Sequence, residues 1–486
     1  MSDRPNVLLI CTDHWPSALF GHRGHPAVMT PTLDQLARAG TVFNRCYSEC
    51  PVCIPARRTL MTGTTPRFHG DRTYRDRLEM PDVPTLAGTF RDAGYQCQAV
   101  GKLHVYPQRD RIGFDDVVLL EEGRTQYGVT DDYEAYLADV GQPGEFFGHG
   151  MCNNQYHVAP WHLDDRHHPT EWATRAMCRQ IRRRDPKRPG FWYLSHMAPH
   201  PPLVPPQRYL NLYRDAELPE AVFGNWSENP MRMPAPLAGA RSSFDTMYGP
   251  RERDIALRAF YALCTHIDHQ LRLVIGTLRE EGLLNNTVIM FTADHGDHLG
   301  DHGLWAKRQF LEGSANVPMI VLGAEHACHE VAAGEADGRL VGWQDIMPTL
   351  LSLCGIDVPA SVEGRSMFSG ERRETLFGEC SEGHAATRMV HDGRHKLIYF
   401  PAGNARLLFD LELDPKEQRN AIDDPAYASV RDRLTAQLIA ELHSGDEDWV
   451  SDGVLVGLDE RSGGGSGSDR GLGGQRGLHH PMPLKG

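Results

Sequence analysis

No apolar run in this chain of 486 residues approaches the roughly 20 residues that a membrane span requires. The first apolar stretch, Val7-Leu8-Leu9-Ile10-Cys11, is too short for a secretory signal core and lacks a cleavage site behind it. Positive charge is in deficit. Fifty Lys and Arg stand against 64 Asp and Glu, a formal net charge of −14, which argues against nucleic acid as a partner. The eleven cysteines are odd in number and scattered, so no disulfide framework is legible. Cys46, Cys50 and Cys53 cluster, but no second pair completes a zinc site. Taken together, these absences predict a reduced, cytoplasmic protein that does not engage a membrane. No internal repeat is present.

Forty per cent hydrophobic and 23% charged residues describe an ordinary globular chain, long enough for a large core plus a smaller second unit. Residues 6–11 form a near-continuous apolar run, the mark of a buried parallel strand. Further strands are predicted at 41–47, 95–100, 191–194, 287–292 and 317–322. Helices are predicted at 31–40, 84–94, 170–184, 251–282 and 343–354. This alternation predicts an α/β fold: a large three-layer α/β/α domain with a mostly parallel central sheet over residues 1–372. Residues 121–168 and 201–250 read as long loops over a site. From 373 to 450, short strands separated by turns such as Asp392-Gly393 and Gly403-Asn404 predict a small antiparallel sheet followed by a helix. Residues 451–486 are Gly/Ser-rich and read as a flexible tail. Near its end, Leu478 to Leu484 is more apolar, and its docking on a neighbouring subunit is expected to help hold a homo-oligomer.

The chain is organised around Cys53-Ile54-Pro55-Ala56-Arg57 and the following stretch to Thr62-Gly63. Pro55 pre-sets φ for a first helical residue and Gly63 supplies a stop, which frames a short helix whose N-terminus points at Cys53. That end collects unpaired N–H groups and suits an anion, and a cysteine there acquires a lowered pKa. Four predicted strand ends carry polar residues that a core would not want: Asp13 and His14, Lys102 and His104, His200, and Asp294 and His295. Lys307 follows on a Gly/His-rich loop. Singly, an Asp after a strand is most often a cap and a His there a satisfied residue. Five clusters at one edge of one sheet point instead to chemistry, because ligands in open α/β sheets gather at the carboxyl ends of strands. Asp13 and Asp294 are hard donors suited to a divalent cation, and His295 with His14 adds nitrogen, shifting the balance from Ca²⁺ towards Mn²⁺.

Cys-x-Pro-x-Arg followed by Thr-Gly resembles the motif of the type I sulfatases, in the alkaline phosphatase superfamily, near its arylsulfatase and phosphonate monoester hydrolase branches. In that motif the cysteine is oxidised to formylglycine. Gly101-Lys102-Leu103-His104, Ala198-Pro199-His200-Pro201 and the run from Thr292 through Leu304 to Lys307 are similar to further family segments, in the family's order over residues 5–450. The resemblance implies one divalent metal, Ca²⁺ or Mn²⁺, held by Asp13, His14, Cys53, Asp294 and His295. It implies catalytic roles for Cys53, Arg57, Lys102, His104, His200 and Lys307. It also implies hydrolysis of a small sulfate ester by a gem-diol at Cys53, and maturation by a formylglycine-generating enzyme. The same residues leave open a phosphonate monoester or phosphodiester hydrolase, and a silent anion-binding member. His14 departs from the family, which usually has Asp or Gln there; Ala56 stands where many relatives have Ser.

Overall fold

The computed structural model describes residues 4–123, 131–152, 154–245 and 248–460. The tail from 461, with its docking segment, lies outside the described residues. The large sheet contains β1 (Asn6–Thr12), β2 (Thr41–Tyr47), β3 (Gln96–Gly101), β4 (Asp116–Leu119), β5 (Gly190–Ser195), β6 (Thr287–Ala293), β7 (Met319–Leu322) and β8 (Glu335–Gly342). Their order across the sheet is β4-β3-β5-β1-β6-β7-β2-β8. All pairings are parallel except those of β7, which runs antiparallel to both neighbours. The sheet is mostly parallel, as the pattern of elements predicts.

Every residue of β1 is buried, and its side chains alternate between two cores. Leu8 and Ile10 face one core with Trp192, Leu194, Ile289 and Phe291. Val7, Leu9 and Cys11 face the other with Phe191, Tyr193, Val288 and Met290. Helices Pro31–Ala39, Pro169–Arg182 and Pro250–Glu280 supply residues to the first core, and helices Cys53–Thr62, Leu86–Asp92 and Ile346–Leu353 to the second. A strand covered on both faces must be apolar at every position, which is why β1 reads as a continuous run. No described helix is long and apolar enough to cross a membrane.

The second sheet is antiparallel, ordered β12-β11-β10-β9, from β9 (Leu376–Cys380), β10 (Thr387–His391), β11 (His395–Phe400) and β12 (Ala405–Asp410). One face packs on helix Ala428–Glu441 through Leu397, Tyr399, Leu434 and Leu438. The other joins Tyr47, Cys50, Phe310 and Leu311 of the large unit through Leu376, Met389, Ile398 and Phe409. A buried ion pair ties the units: Lys396 Nζ lies 2.5 Å from Glu312 and 2.8 Å from Glu417. Val450–Ser451 and Val454–Leu455 form a hairpin where the compositional reading divides sheet from tail.

The structure departs from the sequence reading in several elements. The stretches read as loops contain helices Asp132–Asp139, Gln207–Leu212 and Ala235–Asp245. The sequence reading has no strand at β4 or β8. β4 has four residues, too few for a period to register, and β8 opens on exposed Glu335, Ala336 and Gly338 at the sheet edge. The Cys53 helix begins at Cys53 itself and not at Pro55, which still falls in the first turn, where its missing N–H is not needed.

Candidate active site

Four adjacent parallel strands, β3, β5, β1 and β6, end at one edge of the sheet. Their next residues converge there. β1 delivers Asp13 and His14, β3 delivers Lys102, β5 ends in Ser195 and leads towards His200, and β6 delivers Asp294 and His295. Close approach of β3 and β5 requires glycine at 101, since its φ is +105° and a Cβ would sit 1.9 Å from the Ser195 carbonyl oxygen.

Cys53 occupies the first turn of its ten-residue helix, and Gly63, at φ +65°, closes the other end with its N–H on the Thr59 carbonyl. Cys53 is 1% exposed. Its Sγ lies 2.8 Å from Lys307 Nζ, 3.3 Å from His295 Nε2 and 3.8 Å from Asp13 Oδ1. Burial and Asp13 push the thiol pKa up, but Lys102, Lys307 and His295 outweigh them and hold it below its ordinary value. One turn on, Arg57 ties the helix to the strand ends. Its Nε donates to Asp294 Oδ2 at 2.9 Å, and one Nη donates to the Lys102 carbonyl, Tyr193 Oη and Ser195 Oγ at 2.8, 3.1 and 2.7 Å.

Lys102 Nζ pairs with both Asp13 and Glu122 in a fully buried setting. Burial alone would lower the lysine's pKa, and the carboxylates with Cys53 raise it instead. Burial likewise pushes Asp13 up, while Lys102, His200, Lys307 and His295 pull it well below the carboxylate range. His104, in left-handed backbone at φ 59°, is held by Glu121. That carboxylate accepts from the amides of Leu103 and His104 at 2.7 and 2.8 Å and faces His104 Nδ1 at 2.8 Å.

His200 sets its ring by donating from Nδ1 to the Pro201 carbonyl at 2.7 Å, and burial first, then Lys307, lowers its pKa to about 3. His295 Nδ1 donates to the Gly296 carbonyl at 2.9 Å, turning Nε2 towards Cys53, with Asp13 Oδ1 at 3.4 Å and Asp294 Oδ1 at 3.5 Å. Burial lowers its pKa, but Asp294 and Cys53 carry it above the ordinary value. His14 stacks edge-on between His200 and His295, at ring centroid distances of 4.4 and 4.5 Å. Its Nδ1 is 2.8 Å from Asp297 Oδ2 and its Nε2 is 2.9 Å from Lys307 Nζ.

All ten residues singled out in the sequence therefore meet at one sheet edge. Glu121, Glu122, Asp297 and Tyr193 were not singled out. The signal for the two glutamates is a β-branched run, Val117-Val118, leading into paired acids; without β4 they fall within the loop read at 121–168. One ligand atom from each of Asp13, Cys53, Asp294 and His295 lies within 4.8 Å of the others, and Asp13, His14 and His200 form a second such group. Two hard carboxylate oxygens with one imidazole, steadied by buried Arg57 and Lys102, are a donor set that fits a divalent cation.

A buried cysteine in the first turn of a helix, a metal-type donor cluster and the surrounding cations fit a hydrolase that works on an anionic ester. The comparisons with known proteins agree. The family model described as Sulfatase matches residues 5–356, and that of the N-sulphoglucosamine sulphohydrolase C-terminal region matches 300–444. An arylsulfatase of Clostridium perfringens (strain 13 / Type A) is 34% identical over 473 residues, covering 93% of this chain and 97% of the relative. A choline-sulfatase of Rhizobium meliloti (strain 1021) is 29% identical, covering 89% and 85%. The crystal structure of the phosphonate monoester hydrolase of Agrobacterium radiobacter superposes with a TM-score of 0.76 at 24% identity, covering 90% of this chain and 95% of that one. The chain belongs to the sulfatase family, sulfuric ester hydrolases of the alkaline phosphatase superfamily.

Proposed function

We propose that this enzyme hydrolyses sulfate monoesters of small or aromatic alcohols, with formylglycine made from Cys53 as the nucleophilic residue. The observation that carries the reading is the setting of Cys53. Its buried Sγ stands within 4 Å of Lys307, His295 and Asp13, where the converted residue would place an oxygen. Asp13, Asp294 and His295, with the oxygen at position 53, would hold a divalent ion, Ca²⁺ or Mn²⁺. When bound, such an ion supplies positive charge to the nucleophile and to the sulfuryl oxygens.

The chain's own residues do the rest. Lys102 and Lys307 offer donors to the sulfuryl group, and His200, whose resting proton sits on Nδ1, joins them once the bound anion brings a second proton to Nε2. A hydroxyl of hydrated formylglycine, losing its proton to water, attacks sulfur, and the S–O bond to the alcohol breaks with its electron pair on the leaving oxygen. Lys307 or His200 supplies the proton. His104, oriented by Glu121, then takes the proton of the second hydroxyl. The C–O bond to the sulfated oxygen breaks, and sulfate leaves as the aldehyde re-forms. A plain serine ester has no such exit. Maturation by a formylglycine-generating enzyme belongs to the same proposal.

A second reading, hydrolysis of phosphonate monoesters or phosphodiesters, is favoured by the pair Asp294-His295 and by the likeness of fold to the phosphonate monoester hydrolase. Side-by-side turnover of an aryl sulfate and an aryl phosphonate monoester separates the two. The sulfate is expected to be turned over with the higher kcat/KM; a preference for the phosphonate ester would install the second reading.

A further inference from the structure

Lys307 lies on the loop after β6, and two contacts hold its ammonium at Cys53. Asp297 holds the loop. Its Oδ1 accepts from the amides of Leu299 and Ala306, each at 3.0 Å, and Ala306, immediately before the lysine, sits in left-handed backbone at φ 62°. His14 holds the side chain, with Nε2 2.9 Å from Lys307 Nζ. The other ring nitrogen faces Asp297 Oδ2 at 2.8 Å, and the Tyr156 hydroxyl donates to the same oxygen. Partner chemistry assigns the ring protons. An ammonium has only donors and a carboxylate only acceptors, so Nε2 accepts from Lys307 and Nδ1–H donates to Asp297.

We propose that the Asp297–His14 pair is a positioning device for Lys307, aiming its ammonium at the oxygen of the departing alcohol. One of the three N–H groups is taken by His14 and a second lies against Cys53 Sγ at 2.8 Å. The third is thereby directed to the substrate. As the S–O bond breaks and its electron pair moves to the alcohol oxygen, Lys307 gives that oxygen a proton and regains one from water after release. On this account the lone pair of His14 Nε2 is committed to the lysine and not to the metal ion, and residue 14 departs from the family pattern because it serves a different partner. The inference rests on the sulfate-ester reading above.

The test compares His14→Ala, His14→Gln, Lys307→Ala and the double variant His14→Ala/Lys307→Ala on 4-nitrophenyl sulfate and on an alkyl sulfate. Metal content by elemental analysis and melting temperature are measured for each. A nitrophenolate leaves with little help, whereas an alkoxide needs its proton. His14→Ala is therefore expected to lose roughly 10²-fold in kcat/KM on the alkyl ester and under tenfold on the aryl ester. Lys307→Ala should show the same selectivity, with the double variant no worse. His14→Gln, whose amide can accept from Lys307 and donate to Asp297, should recover most of the alkyl activity. Metal content should stay at the wild-type level throughout. Loss of metal in His14→Ala, equal losses on both esters, or additive losses in the double variant would overturn the proposal. Should the wild type prefer phosphonate esters, the sulfate reading fails separately, and the same variants on a phosphonate pair with aryl and alkyl leaving groups decide the role of His14.

Discussion

Arg57 Nε donates to Asp294 Oδ2 at 2.9 Å, and both side chains are fully buried. That bond fixes the distance between the helix bearing Cys53 and the end of β6, while the Nη bonds of Arg57 fix the same helix to β3 and β5. Removing the arginine leaves Asp294 Oδ2 buried without its guanidinium partner. Arg57→Ala should cost about 3–5 kcal/mol of stability and abolish turnover, as read by denaturant titration and an aryl sulfate assay. A variant of wild-type stability would show that the clamp is dispensable.

Asp13 and Asp294 supply the carboxylate oxygens of the donor cluster. Asp13→Ala and Asp294→Ala should each lose bound metal and activity together, measured by elemental analysis beside turnover. Full metal occupancy in either variant would exclude that residue as a ligand.

Glu121 orients His104, which in the proposed mechanism acts after the alcohol has left. Glu121→Gln keeps the shape but weakens the hold on Nδ1, so turnover should fall by about 10–10² with KM no higher. The sulfated enzyme should accumulate, seen as a stoichiometric burst of alcohol followed by a slow steady state. A proportional loss with no burst would place Glu121 outside this step.

Glu49 gives a pH signature in stability. Burial first, then Asp345, pushes its pKa from 4.5 to about 8, while its carboxylate accepts from the amides of Trp343 and Gln344 at 3.1 and 3.3 Å. Between those two values the folded protein holds a proton that the unfolded chain has lost. Stability therefore falls as pH rises through this window. Glu49→Gln should flatten the fall between pH 4.5 and 8 in urea titrations; an unchanged slope would remove Glu49 as its source.

Much of this arrangement is legible in the sequence because the site is built on strand ends. β1 reads as a buried strand from its unbroken apolar run, and the residues that follow such runs, Asp13, Lys102 and Asp294, then fall on one edge. What the sequence hides is whatever depends on contact across the fold. Asp297 is the second of two acids in Asp294-His295-Gly296-Asp297-His298, and only the pairing of β1 with β6 brings it to His14. Glu121 and Glu122 follow a strand of four residues that has no measurable period. The helices within 121–168 and 201–250 are short and sit among prolines and glycines, so local pattern does not announce them.

Formylglycine at position 53 is proposed to do the chemistry. Preparations made with different amounts of formylglycine-generating enzyme can be digested and the peptide carrying Cys53 weighed, giving the fraction in which sulfur has been exchanged for oxygen with loss of two hydrogens. Turnover of an aryl sulfate should rise in proportion to that fraction and extrapolate to zero when it is zero. Full turnover by a preparation whose Cys53 is entirely unconverted would contradict the account.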